Sequence, residues 1–357
     1  MKKILVVDDS ALMRRVLCDI INSDNRFRVV DIATNGVEAF DLLSRKEYDA
    51  VVLDVNMPKM NGLQLLKELQ KYNISAKVLM ASTDTREGTK TTLDALELGA
   101  VDFVHKPDSP LGCRGSDFKD VFISSLLAVA ECDNPQLARK KKLSAAIQQK
   151  EKAIPIQNSK RIPGKRIVAI ASSTGGPKSL QSVIPKLPGN LNAPVVLVQH
   201  MPAGFTASLA ERLNTLSEVA VREAAEGDIL EAGHVYLAKG GMHMNVVLTR
   251  NGQYAIHYSD EPSREGVKPC ANYMYESLIN CKYDDVICVV MTGMGADGTQ
   301  GISNLKAAGK KVHVIAQNQE TSVVYGMPKS IVNAGIADKI IPLEQIAQEI
   351  ILNVGVM

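Results

Sequence analysis

The sequence predicts two α/β domains in series, each a mainly parallel sheet with helices on both faces. Three observations carry this. Over residues 1–107, short apolar runs alternate with amphipathic stretches long enough for helices of three to four turns. The same alternation restarts at Arg166. Between the two series lies a basic stretch that ends in Pro and Gly. At 357 residues the chain has room for two domains of roughly 150 residues each.

Composition narrows the class. With 45% hydrophobic and 22% charged residues, the chain is not mainly disordered. No apolar run reaches the ~18 residues that a membrane helix needs. The opening Met1-Lys2-Lys3-Ile4-Leu5-Val6-Val7 stops at Asp8-Asp9, well short of a signal h-region of about 7–15 residues. A cytoplasmic protein without membrane insertion is expected. The six cysteines are scattered and form no C-x-x-C pair, so neither a disulfide framework nor a zinc site is indicated. Residues 139–166 carry ten Lys or Arg against one acid, Glu151, in a chain whose net charge is +2. Such a run can be a nucleic-acid arm. It contains Pro155 and Pro163-Gly164 and lacks aromatic residues, so it reads as a solvated interdomain linker.

In the first series, strands are expected at Lys3–Val7, Phe27–Ile32, Ala50–Leu53, Lys77–Ala81 and Val101–Val104. Helical patterns include Ala11–Ile21 and Asn61–Lys71, and Asp117–Cys132 would close the domain. In open α/β sheets the active groups collect at the C-terminal ends of the strands. Here that edge receives Asp8-Asp9, Asp54, Ser82 and His105-Lys106-Pro107. One Asp alone would read as a helix cap. Three carboxylates at one edge repel each other and favour a hard divalent cation, most simply Mg²⁺. Such an ion can coordinate a phosphoryl group during its transfer to a carboxylate oxygen.

These features, with the Met57-Pro58-Lys59-Met60-Asn61-Gly62 turn, resemble the receiver domain of bacterial response regulators over residues 1 to about 130. The resemblance implies a flavodoxin-like fold and phosphorylation of Asp54 by a histidine kinase. It implies that Asp8, Asp9, Asp54 and the main-chain carbonyl of Asn56 hold Mg²⁺, and that Ser82 and Lys106 bind phosphoryl oxygens. Phe103 stands where the family often has a rotating aromatic, and it reads equally well as core.

In the second series, strands are expected at Ile167–Ala171, Pro194–Gln199, His234–Ala238, Asn245–Thr249, Ala255–Tyr258, Val286–Met291 and Lys311–Ala316. Asn251-Gly252 between two of these predicts a hairpin, hence an antiparallel edge on the parallel sheet. The first strand runs into Ser172-Ser173-Thr174-Gly175-Gly176-Pro177. A strand–Ser–Gly turn–helix exposes a hydroxyl and aims main-chain N–H groups at one point. The nucleophile-elbow frame G-x-S-x-G fits Ala171-x-Ser173-x-Gly175 with Ala replacing the first Gly, and Ser172 falls out of frame because Thr174 takes the second Gly position. Two other strands lead to His200 and to the loop that carries Asp297. Ser173, His200 and Asp297 can serve as nucleophile, general base and orienting acid. His234, His243, His257 and His313 lack that placement and read as structural. Gly293-Met294-Gly295-Ala296-Asp297-Gly298 also matches a dinucleotide fingerprint. The acid it requires after the next strand is missing, and the segment comes last in its domain.

Residues 164–357 resemble the catalytic domain of the chemotaxis protein-glutamate methylesterases. The pieces that carry this are Ser173-Thr174-Gly175-Gly176, Gln199-His200-Met201-Pro202-Ala203-Gly204-Phe205, Thr292-Gly293-Met294-Gly295-Ala296-Asp297-Gly298, Ala316-Gln317-Asn318 and Gly326-Met327-Pro328. The resemblance implies a Ser173–His200–Asp297 triad acting on glutamyl methyl esters of chemoreceptors, with amidase action on certain receptor glutamines and no cofactor for the hydrolysis. The N–H groups of Thr174 and Met294 are the candidate oxyanion donors. The domains would be 1–130, a linker 131–163, and 164–357. The receiver is expected to repress the esterase until Asp54 is phosphorylated. The alternative from another class is a nucleic-acid- or nucleotide-binding output. Two departures stand out: Ala171-Ser172 where the family has Gly-Ala, and Lys268-Pro269-Cys270-Ala271-Asn272 where it has Arg-Pro-Ser-Val-Asp. The first is expected to crowd the nucleophile turn, the second to remove a charge near the substrate face.

Overall fold

Five largely apolar runs build the first sheet. They are β1 (Lys2–Val7), β2 (Phe27–Ala33), β3 (Ala50–Asp54), β4 (Val78–Ser82) and β5 (Asp102–His105). Of these, β3, β4 and β5 end in a polar residue. The structure is a computed structural model that describes residues 1–82, 86–107, 113, 115–132 and 164–357, without the side chains of 86–89, 116 and 117. The chain divides into two units, Met1–Ala153 and Ile154–Met357. The basic stretch as far as residue 163, and with it nearly all of the expected linker, lies outside the described residues.

The first sheet is parallel in the order β2-β1-β3-β4-β5. This is the doubly wound order whose reversal point lies between β1 and β3. β3 and β4 are buried along their whole length, as strands covered on both faces must be. The helices are α1 (Ala11–Asn22), α2 (Gly36–Arg45), α3 (Gly62–Lys71), α4 (Arg86–Glu97) and α5 (Ser116–Glu131). α1 buries Met13, Val16, Leu17, Ile20 and Ile21 along one stripe. Local signals set the helix starts. Asn35 accepts from the N–H groups of Val37 and Glu38, and Asn61 with Gln64 forms a capping box.

The second sheet is built from β6 (Arg166–Ser172), β7 (Val195–Gln199), β8 (Ala220–Glu223), β9 (His234–Leu237), β12 (Asp285–Val290), β13 (Val312–Gln317) and β14 (Lys339–Ile341). Its order is β14-β13-β12-β6-β7-β9-β8, and every pairing is parallel. The chain winds outward from β6 in both directions, so the reversal point lies there. Its helices are α6 (Gly176–Val183), α7 (Phe205–Leu216), α8 (Ala271–Ser277), α9 (Thr299–Ala307), α10 (Met327–Asn333) and α11 (Leu343–Val354).

Every strand expected from the sequence forms, with ends shifted by one or two residues. β8 and β14 were not expected. Each has at most four residues and at most one buried residue, Val221 in β8 and none in β14, so neither leaves an apolar run. The hairpin around Asn251-Gly252 forms from β10 (His243–Leu248) and β11 (Tyr254–Ser259). It is a separate two-stranded sheet rather than an edge of the parallel one. Its inner face, Met244, Val246 and Ile256, enters the core beside Met274 and Tyr275 of α8. The β10 strand is further tied to α8 by the Val246 N–H on Ser277 Oγ at 2.9 Å.

Gly62 shows how tightly the turn after β3 is drawn. A Cβ there would lie 2.4 Å from the Asp54 carbonyl oxygen, a backbone atom that cannot swing aside. Gly62→Ala should therefore cost the first unit about 1–3 kcal/mol, the usual range for an overpacked site. The check is a lower urea midpoint for that unit's unfolding transition.

Candidate functional site

Two sites form at the C-terminal edges of the two sheets. In the first unit, Asp8 follows β1 and Asp54 ends β3, on adjacent strands at the reversal point. Lys106 follows β5 and reaches back with its Nζ 2.9 Å from Asp8 Oδ2 and 2.7 Å from Asp54 Oδ1. All three groups are buried, while Asp9 is exposed. Asp8 Oδ1 accepts the Ser10 N–H, and Asp54 Oδ1 also accepts the Val55 N–H. Among the described residues, Asp54 Oδ2 accepts nothing and is left for chemistry. Carboxylate oxygens of Asp8, Asp9 and Asp54 lie within 4.8 Å of one another, a donor set that suits a hard cation.

The electrostatics agree with a poised site. Burial raises the Asp54 carboxyl above its ordinary value, and Lys106 only partly offsets this. Burial lowers the Lys106 ammonium, but Asp54 and Asp8 outweigh it and the net shift is upward. Arg14 steadies the Asp8-Asp9 turn by donating to both carbonyls, at 2.7 and 3.0 Å. Ser82 is buried at the end of β4, and its carbonyl accepts the Lys106 N–H at 2.7 Å. Asn56 is exposed in the turn after β3. Phe103 is buried, as a core residue would be.

In the second unit, β6 pairs with β12 on one side and β7 on the other. Ser173 is the first residue after β6, and His200 is the first after β7. Asp297 sits in the loop between β12 and α9. His200 Nε2 is 2.8 Å from Asp297 Oδ2. That leaves Nδ1 as the nitrogen available to a hydroxyl. Neither Nδ1 nor Ser173 Oγ makes a hydrogen bond among the described residues.

Asp297 is nearly fully buried and held from several sides. Its Oδ2 accepts the Ala271 N–H at 2.6 Å, and its Oδ1 accepts the Asn272 N–H at 2.9 Å and the Cys270 thiol at 3.1 Å. Burial alone would raise its pKa. His200, the Ala271 N–H and Cys270 reverse this, and the carboxyl lies below its ordinary value. The same neighbourhood pushes the Cys270 thiol up to about 12, through burial first and the Asp297 charge second. His243 is buried one step further back and accepts the Cys270 N–H at 3.2 Å.

Glycines bring the loops into contact. Gly175 has φ +75°, which closes the turn after the serine. A Cβ on Gly293 would lie 2.7 Å from Ser173 Cβ and 2.4 Å from Met327 Sδ. The first glycine of the fingerprint-like loop thus lets that loop lie against the serine turn. The Gly293 carbonyl accepts the N–H groups of Gly326 and Met327, at 3.0 and 2.8 Å. A peptide plane pinned by its carbonyl aims its N–H the opposite way, so the Met294 N–H points away from these donors. Among the described residues, the Thr174 and Met294 N–H groups donate to nothing.

Two expectations about the departures are corrected. Ser172 does not crowd the turn: its fully buried hydroxyl donates to Gln199 Oε1 at 2.7 Å. Asn272 is not at a substrate face. It is fully buried, its Oδ1 accepts the N–H groups of Gly298 and Gly301 at 3.1 and 2.7 Å, and its Nδ2 donates to Glu265. It brackets the start of α9, a task for a neutral amide. Gln317 and Thr292, which the motifs contain without indicating a role, brace the site: Gln317 Oε1 accepts the Thr292 N–H at 2.8 Å, and the Thr292 hydroxyl donates to the Thr174 carbonyl at 2.9 Å. Polar residues ending apolar strands were the signal for both.

The depressed Asp297 pKa has a stability consequence. A carboxyl whose folded pKa lies below its unfolded value of about 3.9 contributes stability above that pH and loses it as pH falls through the folded value. Between pH 5 and pH 3 the protein should therefore lose more stability than Asp297→Asn does, measured by urea unfolding at a series of pH values.

The geometry can be set beside known proteins. A family model described as CheB methylesterase matches residues 168–350, and one described as response regulator receiver domain matches residues 4–111. A Pyrococcus abyssi protein named protein-glutamate methylesterase/protein-glutamine glutaminase is 42% identical over 350 residues, covering 98% of this chain and 92% of that protein. A protein of the same name from Bacillus subtilis is 40% identical over 357 residues, covering 98% of each. The crystal structure of the Thermotoga maritima CheB methylesterase catalytic domain is 42% identical, with a TM-score of 0.51. It covers 54% of this chain and 100% of its own.

Proposed function

The chain belongs to the CheB methylesterase family and carries a response regulator receiver domain, and from that premise we infer that it is a phosphorylation-activated protein-glutamate methylesterase and protein-glutamine glutaminase. Its substrates are methylated glutamyl side chains, and certain glutamines, of chemoreceptors. The observation that carries the reading is the His200–Asp297 pair set beside Ser173 at the reversal point of a parallel sheet.

Ser173 Oγ attacks the ester carbonyl while His200 Nδ1 takes its proton. Asp297 keeps the other proton on Nε2 and stabilises the imidazolium that results. Negative charge develops on the former carbonyl oxygen, where the Thr174 and Met294 N–H groups receive it. Collapse expels the methoxy group, which leaves as methanol with the proton from His200. Water, deprotonated by the same histidine, then releases the glutamate. With a glutamine substrate the leaving group is ammonia.

The regulatory half follows from the first site. Asp54 receives a phosphoryl group from a histidine kinase, through the oxygen its neighbours leave unused. Asp8, Asp9, Asp54 and the Asn56 carbonyl would hold Mg²⁺, which when bound offsets charge on the phosphoryl group. Lys106 and Ser82 would take the phosphoryl oxygens, and Lys106 would give up its present hold on Asp54. We assign the receiver to 1–130, the linker to 131–163 and the hydrolase to 164–357. Among the described residues no helix is long and apolar enough to cross a membrane. The dependence on a kinase phosphodonor is the basis for a cytoplasmic location.

Methanol release from methylated receptors tests both halves. Ser173→Ala should lower turnover about 10⁴-fold or more, whereas Ser172→Ala should retain most of it. The reverse result would move the nucleophile to Ser172. Asp297→Asn should cost on the order of 10⁴ by favouring the wrong imidazole tautomer.

A small-molecule phosphodonor with Mg²⁺ should raise activity of the full chain, and Asp54→Asn should abolish that rise. A tenfold activation requires only about 1.4 kcal/mol of differential stability between two states. Full activity without phosphodonor, unchanged by Asp54→Asn, would remove the receiver from control of the hydrolase.

A further inference from the structure

Gln199, the last residue of β7, is buried, and its side-chain amide is fully engaged. Its Nε2 donates to the Ser173 carbonyl at 2.9 Å and to the His200 carbonyl at 3.1 Å. Its Oε1 accepts the Ser172 hydroxyl at 2.7 Å. One amide thus joins the turn of the nucleophile to the turn of the base. The orientation of the group is not interchangeable, because a flipped amide would set its oxygen against two carbonyls. Gly176 makes room for it: a Cβ there would lie 1.9 Å from Gln199 Oε1.

The Ser173 bond has a second consequence. The Ser173 carbonyl and the Thr174 N–H belong to one peptide plane, which is trans. A planar trans peptide aims its N–H opposite to its C=O. The carbonyl accepts from Gly176 N–H at 2.7 Å as well as from Gln199. Two donors on one side hold the plane, and the Thr174 N–H is left pointing out of the turn. The Met294 N–H is aimed by a similar arrangement, in which both donors are main-chain groups. Only the Thr174 plane depends on a side chain.

We propose that Gln199 is a positioning residue for the hydrolysis, which sets the Ser173–His200 spacing and aims the Thr174 N–H at the developing oxyanion. This rests on the reading of Ser173, His200 and Thr174 given above. Gln199 touches no substrate atom. It acts through two carbonyls, so its effect falls on the transition state rather than on substrate binding.

The test uses the full chain activated by phosphodonor, with methanol release as the assay. Gln199→Met keeps the side-chain length and removes both N–H donors. Its kcat should fall about 10²-fold or more, with KM changed less than about threefold. Gln199→Glu keeps the shape and, protonated in its buried setting, offers one donor in place of two. Its kcat should lie between those of Gln199→Met and the native chain. Urea unfolding of each variant reports whether the second unit is folded.

A kcat within threefold of native in folded Gln199→Met overturns the proposal, and so does a folded Gln199→Glu no faster than Gln199→Met. So does a loss that falls wholly on KM, or one no larger than the loss of folded protein. Ser173→Ala is assayed alongside. If it still releases methanol, the nucleophile assignment has failed. If it is inactive while Gln199→Met is fully active, only the role of Gln199 has failed.

Discussion

In an all-parallel sheet a strand can bring its C-terminal loop against the loops of only two neighbours, and for β6 these are β12 and β7. That pairing is the constraint on which the hydrolase site depends. It sets the serine turn between the loop of Asp297 and the turn of His200, although these residues are 124 and 27 positions from Ser173 in the chain. Main-chain ladders continue past the strand ends: the Ser173 N–H reaches the Thr292 carbonyl at 3.0 Å and the His200 N–H reaches the Ser172 carbonyl at 3.1 Å. The turns are therefore registered by the sheet before any side chain acts.

What the sheet leaves open, buried polar groups close. Gln199, Gln317, Asn272 and Asp297 are all nearly or fully out of water, and each meets its partners. An unpaired amide or carboxylate at such depth would cost more than its bonds return, so each group admits few alternative loop arrangements. This division suits catalysis. Ser173 and His200, the groups proposed to move protons, remain partly accessible at the edge, and those that hold geometry lie underneath.

The receiver uses the same edge for opposite electrostatics. There, two carboxylates and one ammonium are buried together, and the cation is shared between Asp8 and Asp54. A buried ion pair of this kind is a switch element more than a source of stability, because removing one partner leaves uncompensated charge. The phosphorylation of Asp54 proposed above would change the charge that Lys106 faces and give the site two electrostatic states to choose between.

The sequence by itself determined both α/β series, nearly all of their strands, and the residues at the strand ends, because each of these leaves a local mark. Buried parallel strands read as apolar runs, and a chemically active edge reads as polar residues where the runs stop. The elbow frame together with the family resemblance favoured Ser173 over Ser172, and the acids of the first site stood out by their recurrence at successive strand ends. Tertiary structure decided the rest. It placed Asn272 in the core under α9 rather than on a substrate face, made the β10–β11 hairpin a separate sheet, and recruited β8 and β14 to the edges. It also gave the Gln199 Nε2 two carbonyl partners, in turns that follow different strands. None of these has a local signature, since each depends on which groups from distant segments meet at one buried point, and that is settled only when the strand order is.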